Sequence, residues 1–370
     1  MPLITDEERN EMTTSFERLL SRYWTEREVR EAMASDNGFN QKLWKQMAEL
    51  GILGLIVDSE YGGIGGGAKE IEALMEAAGA KLLSSPFLIS SIFSASLISF
   101  MSDKKTKRDL LTKICSGDMI ASLAYTSDQG LWNRADIAVN ATIDKDHYTL
   151  SGHASFIPYG SSADKLIVLA TNGNKQEAFI ISPDADGVSL SNLPTNDPTL
   201  RLARLTLNNV KAELLEGIGE TEIDHALDLT LIGLAGEQAG AAREIFNITI
   251  TYLKDRYQFG RQIGSFQAVK HMAADMLIEV ESAVSAAREA ANAFADRADS
   301  ADQFVSLAAF ACADAFRDVS AEAIQLHGGI AYTWEHVAHL YWRRARTGVW
   351  LFGDSNSHRE NYLSILESAQ

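Results

Sequence analysis

Chemistry is most legible in one corner of the chain. The run Asp255-Arg256-Tyr257-Gln258-Phe259-Gly260-Arg261-Gln262-Ile263-Gly264-Ser265-Phe266-Gln267 closes one long helical pattern, turns on two glycines and opens another with Gln267 on its first turn. A cation, amides and aromatic rings gathered at such a turn can hold a ligand. Downstream, Gln325-Leu326-His327-Gly328-Gly329-Ile330-Ala331-Tyr332-Thr333 carries a glycine pair that lets the backbone approach a ligand closely. Each residue has a plainer reading: an i,i+4 surface ion pair for Arg256, a helix cap for Gly260, a helix stop for Gly328-Gly329. It is their joint spacing that favours binding.

Other chemical candidates are isolated. Glu237 lies in Leu234-Ala235-Gly236-Glu237-Gln238-Ala239-Gly240, a run of small and apolar residues where an unpaired carboxylate is costly. It can be read as a buried partner of Arg243, as an interface residue or as a catalytic group. His336 and His339, at i,i+3 on an aromatic and basic helix near His327, fit polar surface positions better than metal ligands, so no metal is predicted. Cys115 and Cys312 have no CxxC spacing and read as small buried residues. In the stretch from Leu53 to Gly67, clustered glycines imply a flexible loop before a helix at Ala68 to Ala80; a phosphate cradle would need the rest of a nucleotide motif, which is absent.

The elements that must position these residues fall into three blocks. Up to about Ser116, apolar residues recur at helical spacing, as in Phe16, Leu19, Leu20 and Tyr23. From Ala121 to Leu214 short alternating runs such as Tyr148–Gly152, Lys165–Leu169 and Arg204–Leu207 predict a small β domain. The helical period then returns, predicting a four-helix bundle with helices near 225 to 257, 265 to 297, 302 to 327 and 354 to 368. The fold class is therefore α+β, with an N-terminal helical domain (1–118), a middle β domain (119–222) and a C-terminal helical bundle (223–370). A formal net charge of -17 disfavours nucleic acid and anionic membrane as partners. With no apolar run of membrane-spanning length and no signal-like start, the expected location is cytoplasmic.

Both motif segments, in order and at this separation, resemble the flavin-binding signatures of the acyl-CoA dehydrogenase family, and the resemblance extends over nearly the whole chain. It implies that the middle domain is a small β-barrel. It also implies FAD-dependent α,β-dehydrogenation of an acyl-CoA thioester, in which a glutamate takes the α proton and the flavin accepts the β hydride. By the same resemblance Arg256 pairs with the FAD pyrophosphate, Gln258, Phe259 and Gln267 contact the same cofactor, and Gln325, Gly328 and Gly329 meet the FAD of a neighbouring subunit. The sequence departs from the family at the base. The usual C-terminal glutamate position holds Phe352, and the alternative position early in the first bundle helix holds Thr230. Glu237 is seven residues beyond Thr230, roughly 10 Å along the helix, and Asp354 is short and displaced. The flavin-embracing segments also differ, reading Tyr125-Thr126-Ser127-Asp128-Gln129-Gly130 and Phe156-Ile157-Pro158-Tyr159-Gly160, where Pro158 removes a hydroxyl and a backbone donor.

Kept cofactor corners beside a lost base resemble one subunit of the heterotetrameric (α2β2) branch that acts on steroid side chains, in which a catalytic subunit supplies the base and its homologue completes the FAD site. The segment Thr333-Trp334-Glu335-His336-Val337-Ala338-His339-Leu340-Tyr341 resembles that branch too. The implied partners are a homologous acyl-CoA dehydrogenase subunit, an acyl-CoA and an electron-transfer flavoprotein. Two other readings stay open: a self-sufficient homotetramer using Glu237, and a non-catalytic helical adaptor.

Overall fold

The computed structural model describes residues 4–144 and 147–368. The first block contains α1 (Asp6–Tyr23), α2 (Glu26–Ala34), α3 (Gln41–Glu49), α4 (Ala68–Ala80), a π-helix (Phe87–Ser94), α5 (Ala95–Ser99) and α6 (Lys104–Cys115). Local chemistry sets these boundaries. Thr5 caps α1 while Glu8 reaches back to the Thr5 N–H at 2.8 Å, and Asn40 and Asp103 accept from the first-turn amides of α3 and α6. The glycine-rich loop is not flexible as expected but tied to itself. Ile64 N–H donates to Gly54 C=O at 3.0 Å and Gly66 N–H to Leu55 C=O at 2.7 Å, while a Cβ on Gly63 would lie 2.0 Å from the Val57 carbonyl oxygen.

The strands are β1 (Ala121–Ala124), β2 (Val139–Asp144), β3 (His147–Pro158), β4 (Lys165–Asn172), β5 (Lys175–Ile181), β6 (Val188–Asn192) and β7 (Leu202–Leu214). Pairings β4–β2, β2–β3, β3–β7, β7–β5 and β5–β4 close a barrel, with β1 beside β4 and β6 beside β7. The predicted alternating runs fall inside β3, β4 and β7, whose inward residues Leu150, Ala154, Leu166, Val168, Leu205 and Val210 are buried.

The last block holds α7 (Glu220–Asp255), the two-residue strands β8 (Tyr257–Gln258) and β9 (Arg261–Gln262), α8 (Gln267–Ala295), α9 (Ala301–His327), α10 (Ala338–Gly348) and α11 (Ser355–Ser368). Helix α7 begins earlier than expected because Glu222 reaches back to the Gly219 N–H at 2.8 Å. The four predicted helices are joined by α10, which the four-helix count omits.

Helix α7 is buried on several sides, and α4 lies against it at backbone contact. A Cβ built on Gly240 would stand 1.9 Å from the Glu76 carbonyl oxygen, one on Gly79 1.9 Å from that of Glu237, and one on Gly236 2.7 Å from that of Glu72. Only glycine permits this approach. The close seat also buries Glu72, whose Oε1 has no hydrogen-bond partner among the described residues. Burial, with the charge of Glu76 nearby, raises its pKa from 4.5 to about 8, against the opposing pull of Arg288 and Arg243.

Two consequences can be measured. Gly240→Ala is expected to destabilise the chain by about 3 kcal/mol in denaturant unfolding, because two helix backbones must separate to admit one methyl group. For Glu72 the folded pKa lies above the unfolded one, so its contribution is intact below about pH 4.5 and is lost as pH rises through about 8. Glu72→Gln should therefore match the parent chain in acid and become progressively more stable than it between about pH 5 and 8.5 in parallel melts.

Candidate functional site

The two motif segments converge at one end of the bundle. Tyr252, one turn before the end of α7, donates its hydroxyl to His327 C=O at 3.3 Å and stacks on the His327 ring at 4.5 Å between centroids. Beyond Tyr252 the chain makes a hairpin that periodicity did not predict. Strands β8 and β9 pair Tyr257 with Gln262 and Gln258 with Arg261, and the turn residues Phe259 (φ 52) and Gly260 (φ 77) both take left-handed backbone. Gly260 is thus a hairpin turn and not a helix cap. Phe259 is 91% exposed at the tip. Arg256 is exposed and has no carboxylate partner among the described residues, so the surface ion pair weighed above is not formed. Gln267 opens α8, exposed, and Gln325 is exposed in the last turn of α9.

Across from this hairpin, Gly328 (φ 65) ends α9, and a Cβ at Gly328 or Gly329 would meet nothing within 4 Å. The space in front of the two glycines is open, and backbone there can approach a ligand closely. Exposed Ile330, Tyr332 and Trp334 continue the surface outward, as expected of a face completed by another subunit. The histidines are not the surface groups anticipated from their spacing. His327 is buried with Nδ1 2.8 Å from Ala323 C=O, His336 packs on it at 4.5 Å in the turn before α10, and His339 is buried against Trp334. Burial lowers the pKa of all three, and they gather no metal-binding set among the described residues.

The segments expected around a flavin ring converge elsewhere, where the β-barrel meets α4, α7 and α10. Here the ring does not fit. The cavity that touches Pro158, Tyr159 and Phe352 holds only about 50 Å³, a few waters' worth, against roughly 300 Å³ or more for small-molecule sites. Trp132 packs against the Phe352 wall of this cavity, 4.8 Å from the Phe352 ring and 6.0 Å from Tyr125. The donors that would face a cofactor are used internally. Asp136 accepts from the Thr126 hydroxyl, from Ser127 N–H at 3.0 Å and Oγ at 2.5 Å, and from Leu131 N–H at 3.2 Å. Trp132 (φ 51), Phe156 (φ 57), Tyr159 (φ 52) and Phe352 (φ 61) all hold left-handed backbone, a conformation costly for bulky residues that the surrounding packing enforces.

No carboxylate is poised for proton abstraction at either family position. Phe352 is buried, and the Thr230 hydroxyl donates to Ala226 C=O at 2.7 Å inside α7. Glu237 is not paired with Arg243, which instead meets Glu76; it accepts from Arg344 Nη1 at 2.6 Å. Asp354 caps α11 by accepting from Ser357 N–H at 2.7 Å, and the bonds from Ser357 hold its pKa below the usual carboxylate value. The glycine-rich loop lines a separate open cleft of about 1140 Å³ with Phe100, His225 and Phe294, away from this cavity. The residues that sequence reasoning missed are Arg344, Asp197 and Trp132; none stands in a periodic pattern or a motif that would have marked it.

Comparisons with known proteins show the family. Residues 6–118 match the family acyl-CoA dehydrogenase, N-terminal domain, and residues 219–365 the family acyl-CoA dehydrogenase, C-terminal domain. The chain is 32% identical over 343 residues to acyl-CoA dehydrogenase IpdE2 of Mycobacterium tuberculosis, covering 92% of this chain and 91% of that protein. Among solved structures it superposes on the ChsE4-ChsE5 complex from Mycobacterium tuberculosis with a TM-score of 0.91 at 25% identity, covering 99% of both chains. It superposes on a single-residue variant of the Tcur3481-Tcur3483 steroid ACAD with a TM-score of 0.88 at 26% identity, covering 98% of both. Among the described residues no helix is long and apolar enough to cross a membrane.

The open glycine corner can be tested by filling it. Gly329→Val should leave thermal stability nearly unchanged, since its Cβ meets no atom, yet raise the FAD dissociation constant of the assembled protein about tenfold, read by flavin fluorescence titration.

Proposed function

The chain belongs to the acyl-CoA dehydrogenase family, flavin-dependent oxidoreductases acting on CH–CH bonds, and on that premise we propose that it is the accessory subunit of a heteromeric enzyme. The assembly is an α2β2 heterotetramer with a homologous, catalytic acyl-CoA dehydrogenase chain, and it dehydrogenates the α,β bond of a bulky, steroid-like acyl-CoA. The observation that carries this reading is the contrast within one molecule: an open adenosine corner at Arg256, Phe259, Gly328 and Gly329, and a ring site reduced to about 50 Å³ with no free base beside it. One solved relative named as a steroid ACAD and another named as a two-component complex support the substrate class and the pairing.

When bound, FAD supplies the hydride acceptor that no side chain can provide. This chain's part is to hold the adenosine half: Arg256 neutralises pyrophosphate charge, Gln258, Phe259, Gln267 and Gln325 contact the group, and Gly328 and Gly329 let backbone approach it. The partner contributes the ring pocket and the carboxylate that takes the α proton. Such division works because positioning and electrostatic complementarity can be assembled from two chains as well as from one. We take the segments 1–118, 119–222 and 223–370 as working units, place the assembly in the cytoplasm, and assign an electron-transfer flavoprotein as the electron acceptor.

The test is flavin absorbance and native mass of the chain expressed alone and with its homologous partner. Flavin retained only by the mixed assembly is the expected result. A yellow homotetramer that bleaches anaerobically with an acyl-CoA would instead make the chain self-sufficient, and a mixed assembly without flavin would make it an adaptor.

A further inference from the structure

The closed ring site contains a cluster that neither cofactor binding nor catalysis uses. Arg344 extends from α10 into the junction of the three segments. Its Nη1 donates to Glu237 Oε1 on α7 at 2.6 Å, its Nε to Thr199 Oγ1 at 2.8 Å, and its Nη2 to Thr199 C=O at 2.9 Å and Leu83 C=O at 3.5 Å. Asp197 Oδ2 lies 3.4 Å from Nε, while Asp197 Oδ1 is held by the Thr199 amide and hydroxyl. One side chain thus reaches the turn after α4, the loop between β6 and β7, and the central bundle helix. Its neighbours repeat the pattern: Arg343 donates to Asn196 C=O at 2.6 Å and Tyr341 to Ala80 C=O at 2.8 Å. Arg344 and Glu237 also form a wall of the residual cavity.

We propose that Arg344, with Glu237 and Asp197 as counter-ions, is a built-in occupant of this chain's own ring-and-acyl site. It joins the three segments where a family enzyme would be joined through bound cofactor and substrate. Taken out of water, a guanidinium flanked by two carboxylates is strongly held only where its donors are met, and here the partners come from all three segments. The cluster keeps the site shut and fixes α10, whose preceding turn carries Tyr332 and Trp334 beside the adenosine corner. Glu237 is therefore a counter-ion. This proposal rests on the accessory-subunit reading, but its test separates the two.

Arg344→Ala, Arg344→Met and Glu237→Gln are to be compared in the chain alone and in the flavin-loaded mixed assembly. Arg344→Ala should lower the melting midpoint of the chain by about 5 °C, with Arg344→Met falling less because it keeps most of the packed volume. Millimolar methylguanidinium should restore the Arg344→Ala midpoint and methylammonium should not, since only a planar fork matches these acceptors. In the mixed assembly both Arg344 variants should weaken FAD binding several-fold, whereas turnover per bound flavin and its pH profile stay unchanged in all three. The latch is refuted by an Arg344→Ala midpoint equal to that of the parent. It is equally refuted by a tenfold loss of turnover per flavin in Glu237→Gln with a displaced pH profile, which would make Glu237 a base. Should the parent assembly hold no flavin, the accessory reading fails, while the midpoint and the methylguanidinium rescue still decide the role of Arg344.

Discussion

Two helices in backbone contact govern where the rest of this molecule can go. With Gly79 against the Glu237 backbone and Gly236 and Gly240 against α4, α7 cannot rotate or slide without driving a carbonyl into a Cα. The contact fixes the azimuth of every α7 side chain. It aims Glu237 toward α10, holds Thr230 inside the bundle, and sends the C-terminal end of α7 to the hairpin that bears Phe259. Hydrophobic burial of α7 supplies most of the driving force, but apolar surface is non-directional and would accept many packings. Glycine makes one of them the close one.

From that axis the two halves of a cofactor site diverge. At the far end of α7 nothing among the described residues crowds Gly328 and Gly329, and exposed aromatic residues continue the surface outward. In its middle, Trp132, Phe352 and the Arg344 cluster close the space between barrel and bundle. A site lost through drift would be expected to leave a cavity, costly in lost contacts. This one keeps only about 50 Å³, Asp136 takes the donors of Thr126, Ser127 and Leu131, and Arg344 is paired with Glu237. On the proposed reading the ring half has become core, while the adenosine half is a surface that a partner completes.

Much of this was legible in the sequence because it is encoded locally. The order of helices, strands and helices follows from changes of hydrophobic period, and α4 runs from Ala68 to Ala80 as the pattern implied. The two glycine-bearing segments, read as a cofactor corner, do meet at one end of the bundle, and the positions of Phe352 and Thr230 carry no carboxylate. What escaped depends on partners far apart in the chain or on very short elements. The hairpin at Phe259–Gly260 has strands of only two residues, too short for any alternation to register. One reading of Glu237 pairs it with Arg243, six residues away, but it meets Arg344 instead, while Arg243 turns to Glu76 on α4. His336 and His339 read as surface groups because their spacing says nothing of the contacts His336 makes with His327 and His339 with Trp334.

The central claim is that one chain can keep the adenosine half of a flavin site while its own ring half has become core. A structure of the mixed assembly with FAD bound tests this most directly. The expected result is one flavin per pair of chains, its adenosine against Gly328 and Gly329 of this chain and its ring in the partner's barrel, with Trp132 still stacked on Phe352. A flavin ring lodged between Trp132 and Phe352 in this chain would contradict it.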